Sequence, residues 1–243
     1  MTGWMLFTPA GFFGKLNAIG YAVCHQAASH YFFIGNRQMS LCARCTGMYL
    51  GVLTAWLYQL RYGRREAFPK TKIIVVFAVL LILFAIDGIN SFISLPFGYL
   101  LYQPANWLRL VTGIGLGWGM AAMLVPAFHQ LVWKKSIPEP MLSKFTQIFI
   151  LAVLDVLPVL AILFEINFLL YPIMVLTTLT IPVLLSTIYA MLIIMVTYRE
   201  NTFSRFKQVL PYLLTGMLFA MLQIFILDII RLSLTGTWMG FPL

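Results

Sequence analysis

In a chain of 243 residues, 61% are hydrophobic and only 9% charged, against roughly 25% charged in ordinary soluble domains. A soluble fold of this size could not hide so much apolar surface in one core, whereas a bilayer solvates it directly, so a free-standing soluble domain is excluded. The net charge of +9 does not indicate nucleic acid, because most Lys and Arg sit in short connectors between apolar runs, where they act as topology signals.

Residues 1–40 are the least regular part of the chain. Trp4 to Val23 is apolar but broken by Pro9, three glycines and Lys15, which reads as an interfacial or re-entrant helix, or a poor span. It has no basic flank and no small-residue cleavage site, so removal as a signal peptide is not expected. Cys24, His25, His30 and Arg37 follow in a mixed polar and aromatic stretch.

Beyond it, apolar runs of about 20 residues recur, each long enough to cross a hydrocarbon core of roughly 30 Å. They lie near Leu41–Leu60, Ile73–Leu95, Trp107–Trp133 and Thr146–Glu165. The run Asn167–Tyr198, interrupted by Pro172 and Pro182, is too long for one straight span and reads as a short lead-in followed by a fifth helix. The sixth lies near Pro211–Leu234. No strand-like alternation appears, and lipid forbids exposed irregular backbone. The expected fold is therefore all-α: a polytopic transmembrane bundle of about six spans plus an N-terminal interfacial or re-entrant segment. Its regions are 1–40, a core of three spans over 41–133, and three further spans over 134–243.

The connector after the first span carries Arg61, Arg64, Arg65, Lys70 and Lys72; the one after the third, Lys134, Lys135 and Lys144; the one after the fifth, Arg199, Arg205 and Lys207. The intervening connectors and the C-terminal tail carry no Lys or Arg. The positive-inside rule then predicts a multi-pass protein of the cell membrane with the basic connectors in the cytoplasm and the C-terminus outside. Arg37 and Arg44 run against this pattern.

Charged groups within spans are expensive in lipid and call for a partner or a use. On this topology Asp87 and Asn90 share a face in the outer half of the second span, Arg109 opens the third, and Asp228 and Arg231 share a face near the outer end of the sixth. Asp155 is nearer mid-membrane. Asp228 with Arg231 reads either as a self-neutralising pair or as part of a site. Asp87 and Arg109, at similar depth, are expected to approach one another. The third span carries Gly113, Gly115, Gly117 and Gly119, two overlapping G-x-x-x-G patterns, and the first carries Gly47 and Gly51. Such smooth faces permit close helix contact.

All three cysteines fall in the first 45 residues, as Cys24-His25-Gln26 and Cys42-Ala43-Arg44-Cys45-Thr46-Gly47. Two chemistries want this arrangement. A C-x-x-C turn with a Cys-His pair offers four soft or borderline ligands, enough for a tetrahedral zinc site made of Cys24, His25, Cys42 and Cys45, with His30 as an alternative fourth ligand because adjacent Cys24 and His25 do not readily reach one ion. Alternatively, a C-x-x-C at a helix N-terminus has thiol redox chemistry open to it, although a membrane thiol-disulfide oxidoreductase usually needs a second cysteine pair. A structural disulfide is the third reading.

These residues resemble a prokaryotic family of membrane proteins that carries a domain of unknown function. The resemblance rests on Cys24-His25-Gln26, Cys42-Ala43-Arg44-Cys45-Thr46-Gly47 with Tyr49 and Gly51, Asp87-Gly88, and Asn106-x-x-Arg109-x-x-Thr112-Gly113. It covers roughly residues 20–125, and Asn90-Ser91 departs from the Gln that the family has shortly after Asp87-Gly88. The resemblance implies membrane location and a shared site, and names no activity. The resulting expectation is an outward-facing zinc site with Asp87, Asn90 and Arg109 lining a neighbouring cavity. If chemistry occurs there, the ion would activate water, Asp87 would be the general base, and Arg109 would hold an anionic, lipid-like head group. A non-catalytic subunit of a membrane complex with structural cysteines is the alternative of a different class. The partners expected are the lipid bilayer, a lipid-like substrate or other membrane subunits, and no nucleic acid.

Overall fold

The structure, a computed structural model, describes residues 2–97 and 101–238. Its elements follow the hydropathy closely. Two short helices, α1 (Thr2–Phe7) and α2 (Phe12–Val23), precede α3 (Ala43–Leu60), α4 (Thr71–Phe97), α5 (Asn106–Val132), α6 (Phe145–Leu163), α7 (Asn167–Val196) and α8 (Phe206–Thr235). The protein is a multi-pass membrane bundle, with α4 to α8 each long and apolar enough to cross a bilayer. At 12 residues α2 reaches only about 18 Å, so neither N-terminal helix spans.

The first expected span is realised differently from the rest. Helix α3 has 18 residues, about 27 Å, but carries Arg44, Thr46, Thr54 and Gln59 and is less apolar than the other five. It is sheltered by packing chiefly against α5, and also against α6 and α7. The glycines explain how closely the first two approach. A Cβ on Gly47 would sit 2.1 Å from the Leu110 carbonyl oxygen, and one on Gly117 2.1 Å from that of Met48. Gly51 and Gly113 face backbone in the same way, whereas Gly115 and Gly119 face Leu80 and Phe77 of α4. One G-x-x-x-G pattern of α5 thus serves α3 and the other serves α4.

The run 167–196 is one continuous helix, not a lead-in followed by a helix. Pro172 and Pro182 lack the N–H groups that would bond the carbonyls of Phe168 and Thr178, a cost of one hydrogen bond each. Two such losses are tolerated in a membrane helix packed among neighbours, and Thr177 and Thr180 fold their hydroxyls back onto the carbonyls of Ile173 and Leu176 at 2.8 Å each. At 30 residues the helix is about 45 Å long and must tilt or project from the hydrocarbon. Helix α8 likewise begins before Pro211, at Phe206, where the Gln208 side chain accepts from the Ser204 and Arg205 backbone N–H groups at 2.9 and 3.1 Å.

The three basic connectors gather at one end of the bundle. Strand β3 (Arg65–Ala67) pairs with β4 (Ile137–Pro140), Trp133 bridges to Phe203, and Arg64 donates to the Ser204 carbonyl at 2.9 Å. The opposite end holds a hairpin of β1 (Phe33–Ile34) and β2 (Arg37–Gln38), the Ala28–His30 turn and the segment between α4 and α5. The far C-terminal residues 239–243, on which the outside orientation of the C-terminus turns, lie outside the described residues.

Candidate metal centre

The centre is built where α2 ends and α3 begins. Cys24 is the C-terminal cap of α2, and its N–H donates to the Gly20 carbonyl at 2.8 Å. Cys42 caps the N-terminus of α3 with extended backbone, which makes Cys45 the third residue of that helix. In this spacing both thiols project over the first turn, toward the positive end of the helix dipole. Gln26, held at φ 56°, turns the chain back and ties the two segments together, its side chain donating to Asn17 Oδ1 at 3.0 Å and to the Ser40 carbonyl at 3.2 Å.

The sulfurs of Cys24, Cys42 and Cys45 all lie within 4.8 Å of one another, and all three cysteines are free. They could hold a metal ion. Zinc–sulfur bonds of about 2.3 Å in a tetrahedron separate sulfurs by about 3.8 Å, so the three sulfurs are already within roughly 1 Å of the spacing that an ion requires. The Cys42 backbone N–H donates to Cys24 Sγ at 3.3 Å, and the Tyr31 hydroxyl lies 3.5 Å from the same sulfur. Hydrogen bonds from Cys42 and Cys45 hold the Cys24 thiol well below its ordinary value despite burial, and the same pairing with Cys24 pushes Cys42 up to about 12.

His25 stands apart from this group. Its Nε2 is hydrogen-bonded to His30 Nδ1 at 2.9 Å, and its contact with the cysteines runs through Cys24 alone. Burial, and then the charge of Arg109, push His30 down to about 4, which keeps its ring neutral and fit for that bond.

A polar network continues from the thiols to the membrane-spanning helices. Asn106, at the start of α5, donates to the Tyr31 carbonyl at 3.2 Å and accepts from Arg109 Nη1 at 2.8 Å. Arg109 Nη2 and Arg44 Nη2 both reach Ser91 Oγ, at 3.5 and 3.2 Å. Arg44 forms the ion pair with Asp87, its Nε donating to Oδ2 at 3.1 Å and its Nη2 to the same oxygen. The Tyr102 hydroxyl donates to the other Asp87 oxygen at 2.8 Å.

Several expectations change here. Asp87 pairs with Arg44, not Arg109, and no carboxylate lies in ion-pair range of Arg109 among the described residues. Asn90 holds backbone, accepting from the Leu101 N–H at 2.8 Å and donating to the Tyr102 carbonyl at 3.0 Å. Asp228 and Arg231 do not form an ion pair either. Asp228 accepts from Trp4 Nε1 at 2.9 Å, while Arg231 donates to the carbonyls of Tyr21, Cys24 and His25, the last at 2.8 Å, and lies over the Tyr21 ring. Asp155 is elsewhere, held by Trp118 Nε1 at 2.7 Å and Thr54 Oγ1 at 3.0 Å. Sequence reasoning passed over Arg44, Ser91 and Tyr102. For Arg44 a signal existed, since a basic residue that violates the loop-charge pattern is a candidate buried cation.

Residues 24–123, which hold every member of the network, match the family described as "Predicted membrane protein (DUF2085)". An uncharacterized protein of Methanocaldococcus jannaschii is 31% identical over 121 residues, 49% of this chain and 72% of the relative. The chain belongs to this family. A second member, an uncharacterized protein of Methanothermobacter thermautotrophicus, is 31% identical over 111 residues, 45% of this chain and 91% of its own length. No solved structure matches. The family region thus ends within α5, and Arg231, which grips the Cys24 loop, comes from the helices beyond it.

Proposed function

We propose that this protein is a zinc-binding membrane protein whose metal site faces the outer side and acts on a lipid-like substrate bearing an oxyanion. The observation that carries the reading is the convergence of three free sulfurs from two separate segments, with a backbone N–H already donating to one of them. Cys24, Cys42 and Cys45 would be the ligands. Three thiolates with one open position resemble the ligand count of catalytic rather than closed structural zinc, and an ion there would supply Lewis acidity.

Charge supports the reading. Three thiolates around a divalent ion carry one net negative charge, and Arg44 and Arg109 against Asp87 carry one net positive charge. Asp87 is 1% exposed and already engaged by Arg44 and Tyr102, so it serves to fix Arg44 and is poorly placed as a general base. Arg109 is 5% exposed, and its Nε has no hydrogen-bond partner among the described residues. A buried guanidinium donor left over in this way suits a phosphate or carboxylate oxygen.

Cobalt substitution tests the proposal. Cobalt-loaded protein should show sulfur-to-metal charge transfer and tetrahedral d–d bands, and a short-chain phospholipid should shift those bands in wild type but not in Arg109→Gln. Octahedral spectra, or a disulfide among the three cysteines after anaerobic purification, would replace the metal reading with the thiol-redox or structural one.

A further inference from the structure

The bundle contains a second site, at the opposite end of α3 from the cysteines. A cavity of about 460 Å³ lies between the C-terminal turns of α3 and α5, the middle of α7 and the start of α8. Its size is that of a site for a small molecule or a single hydrocarbon chain. The walls are apolar, from Trp56, Leu124, Phe128, Val183, Leu213 and Met217. Val183 and Leu214, also in the lining, face outward from the bundle, so the cavity borders the lipid. Among the polar lining residues, His129 is hydrogen-bonded to the Arg65 carbonyl, and Ser186 and Thr187 donate to the carbonyls of Leu213 and Val183. Gln59, 0% exposed, has no partner for Oε1, and Trp133, 6% exposed, has none for Nε1, among the described residues. Both atoms are closed off from the cavity as well as from solvent.

Basic residues adjoin the lining. The Arg64 guanidinium stacks 3.9 Å from the Trp133 ring centroid. Arg61 follows the lining residue Leu60, Lys134 follows Trp133, and Arg205 and Lys207 flank Phe206. The three connectors at this end hold eleven Lys and Arg against Glu66, Glu139 and Glu200. Of these acids Glu139 is paired with Arg65 at 2.9 Å, and Glu66 accepts from Ser136. An apolar chamber beside lipid, with cationic side chains next to its lining, is complementary to an anionic amphiphile.

We infer that this cavity binds one anionic phospholipid, with a hydrocarbon chain between α5, α7 and α8 and its phosphate at Arg64. This site is separate from the metal centre and does not depend on it.

The test uses full-length protein purified in mild detergent. Native mass spectrometry of protein exchanged into phosphatidylglycerol should show one lipid per chain surviving delipidation, retained at least tenfold better than phosphatidylcholine. Val183→Trp, and independently Leu214→Trp, should cut that retention at least fivefold by filling the chamber. Arg64→Gln should abolish the preference for phosphatidylglycerol while leaving chain binding. As a readout that needs no variant, phosphatidylglycerol brominated on its chains should quench tryptophan fluorescence more than brominated phosphatidylcholine, through Trp56 and Trp133. Equal retention and equal quenching by the two lipids would mean annular lipid only and would overturn the inference. So would undiminished retention in a folded variant with the chamber filled.

Discussion

Replacing Asp87 by Asn leaves the half-buried Arg44 guanidinium and the buried Arg109 guanidinium without the carboxylate that Arg44 engages. Removing one partner of a buried ion pair typically costs about 3–5 kcal/mol, because the other charge stays desolvated. The Asp87 side chain is 1% exposed and the Arg44 side chain 17%, so some solvent relief reaches the arginine and the expected cost is at the low end, about 3 kcal/mol. Arg44→Met should cost a similar amount by stranding Asp87 with Tyr102 alone. The double variant should cost clearly less than the two singles together, with a coupling of at least about 1.5 kcal/mol in the cycle. The corresponding cycle between Asp87→Asn and Arg109→Met should give a smaller coupling than that with Arg44, because Arg109 hydrogen-bonds into this cluster through Ser91 and meets Asp87 only through space. Reversible unfolding in mixed micelles measures all of these. A Asp87→Asn variant as stable as wild type, or a stronger coupling to Arg109 than to Arg44, would refute the assignment of partners.

Three further outcomes follow from the packing and the topology. Gly117→Ala should destabilise the bundle by about 1–3 kcal/mol, since its Cβ would meet the Met48 carbonyl oxygen at 2.1 Å, whereas Gly119→Ala, whose nearest neighbour is 3.5 Å away, should be nearly neutral in the same micelle assay. Arg231→Gln should lower metal affinity by about 10- to 100-fold in a competition titration while leaving the fold intact, because it loosens the carbonyls around Cys24. Cysteines introduced at Arg64 and Lys134 should be blocked from an impermeant reagent added outside, while one at Trp238 should react; labelling of position 64 from outside would invert the proposed orientation.

Much of the fold could be read from composition and spacing. Spans show themselves because lipid demands about 20 apolar residues at a stretch, and the glycines show themselves because they recur every four residues. Helix α3 was harder, since its polar residues are tolerated only through neighbours that the sequence does not name. Helix α7 was misjudged at its prolines, because a bundle can absorb lost hydrogen bonds that a soluble helix cannot. At the site, the cysteine spacing located the three sulfurs, since Cys42 and Cys45 share one helical turn. The ionic partners were less legible. Depth in the membrane groups Asp87 with Arg109, but depth leaves azimuth undetermined, and α3 presents Arg44 first. Arg231 likewise shares a helix face with Asp228 yet turns to the carbonyls at the end of α2, where a helix C-terminus concentrates partial negative charge.

Elemental analysis with thiol counting on one anaerobically purified sample tests most directly whether the three cysteines form a metal site. The account predicts about one zinc per chain, three thiols recovered on denaturation with chelator, and loss of the metal in Cys24→Ser, Cys42→Ser and Cys45→Ser alike. A metal-free protein that takes up no zinc when it is supplied, or one with a single titratable thiol and a disulfide joining the other two cysteines, would contradict it.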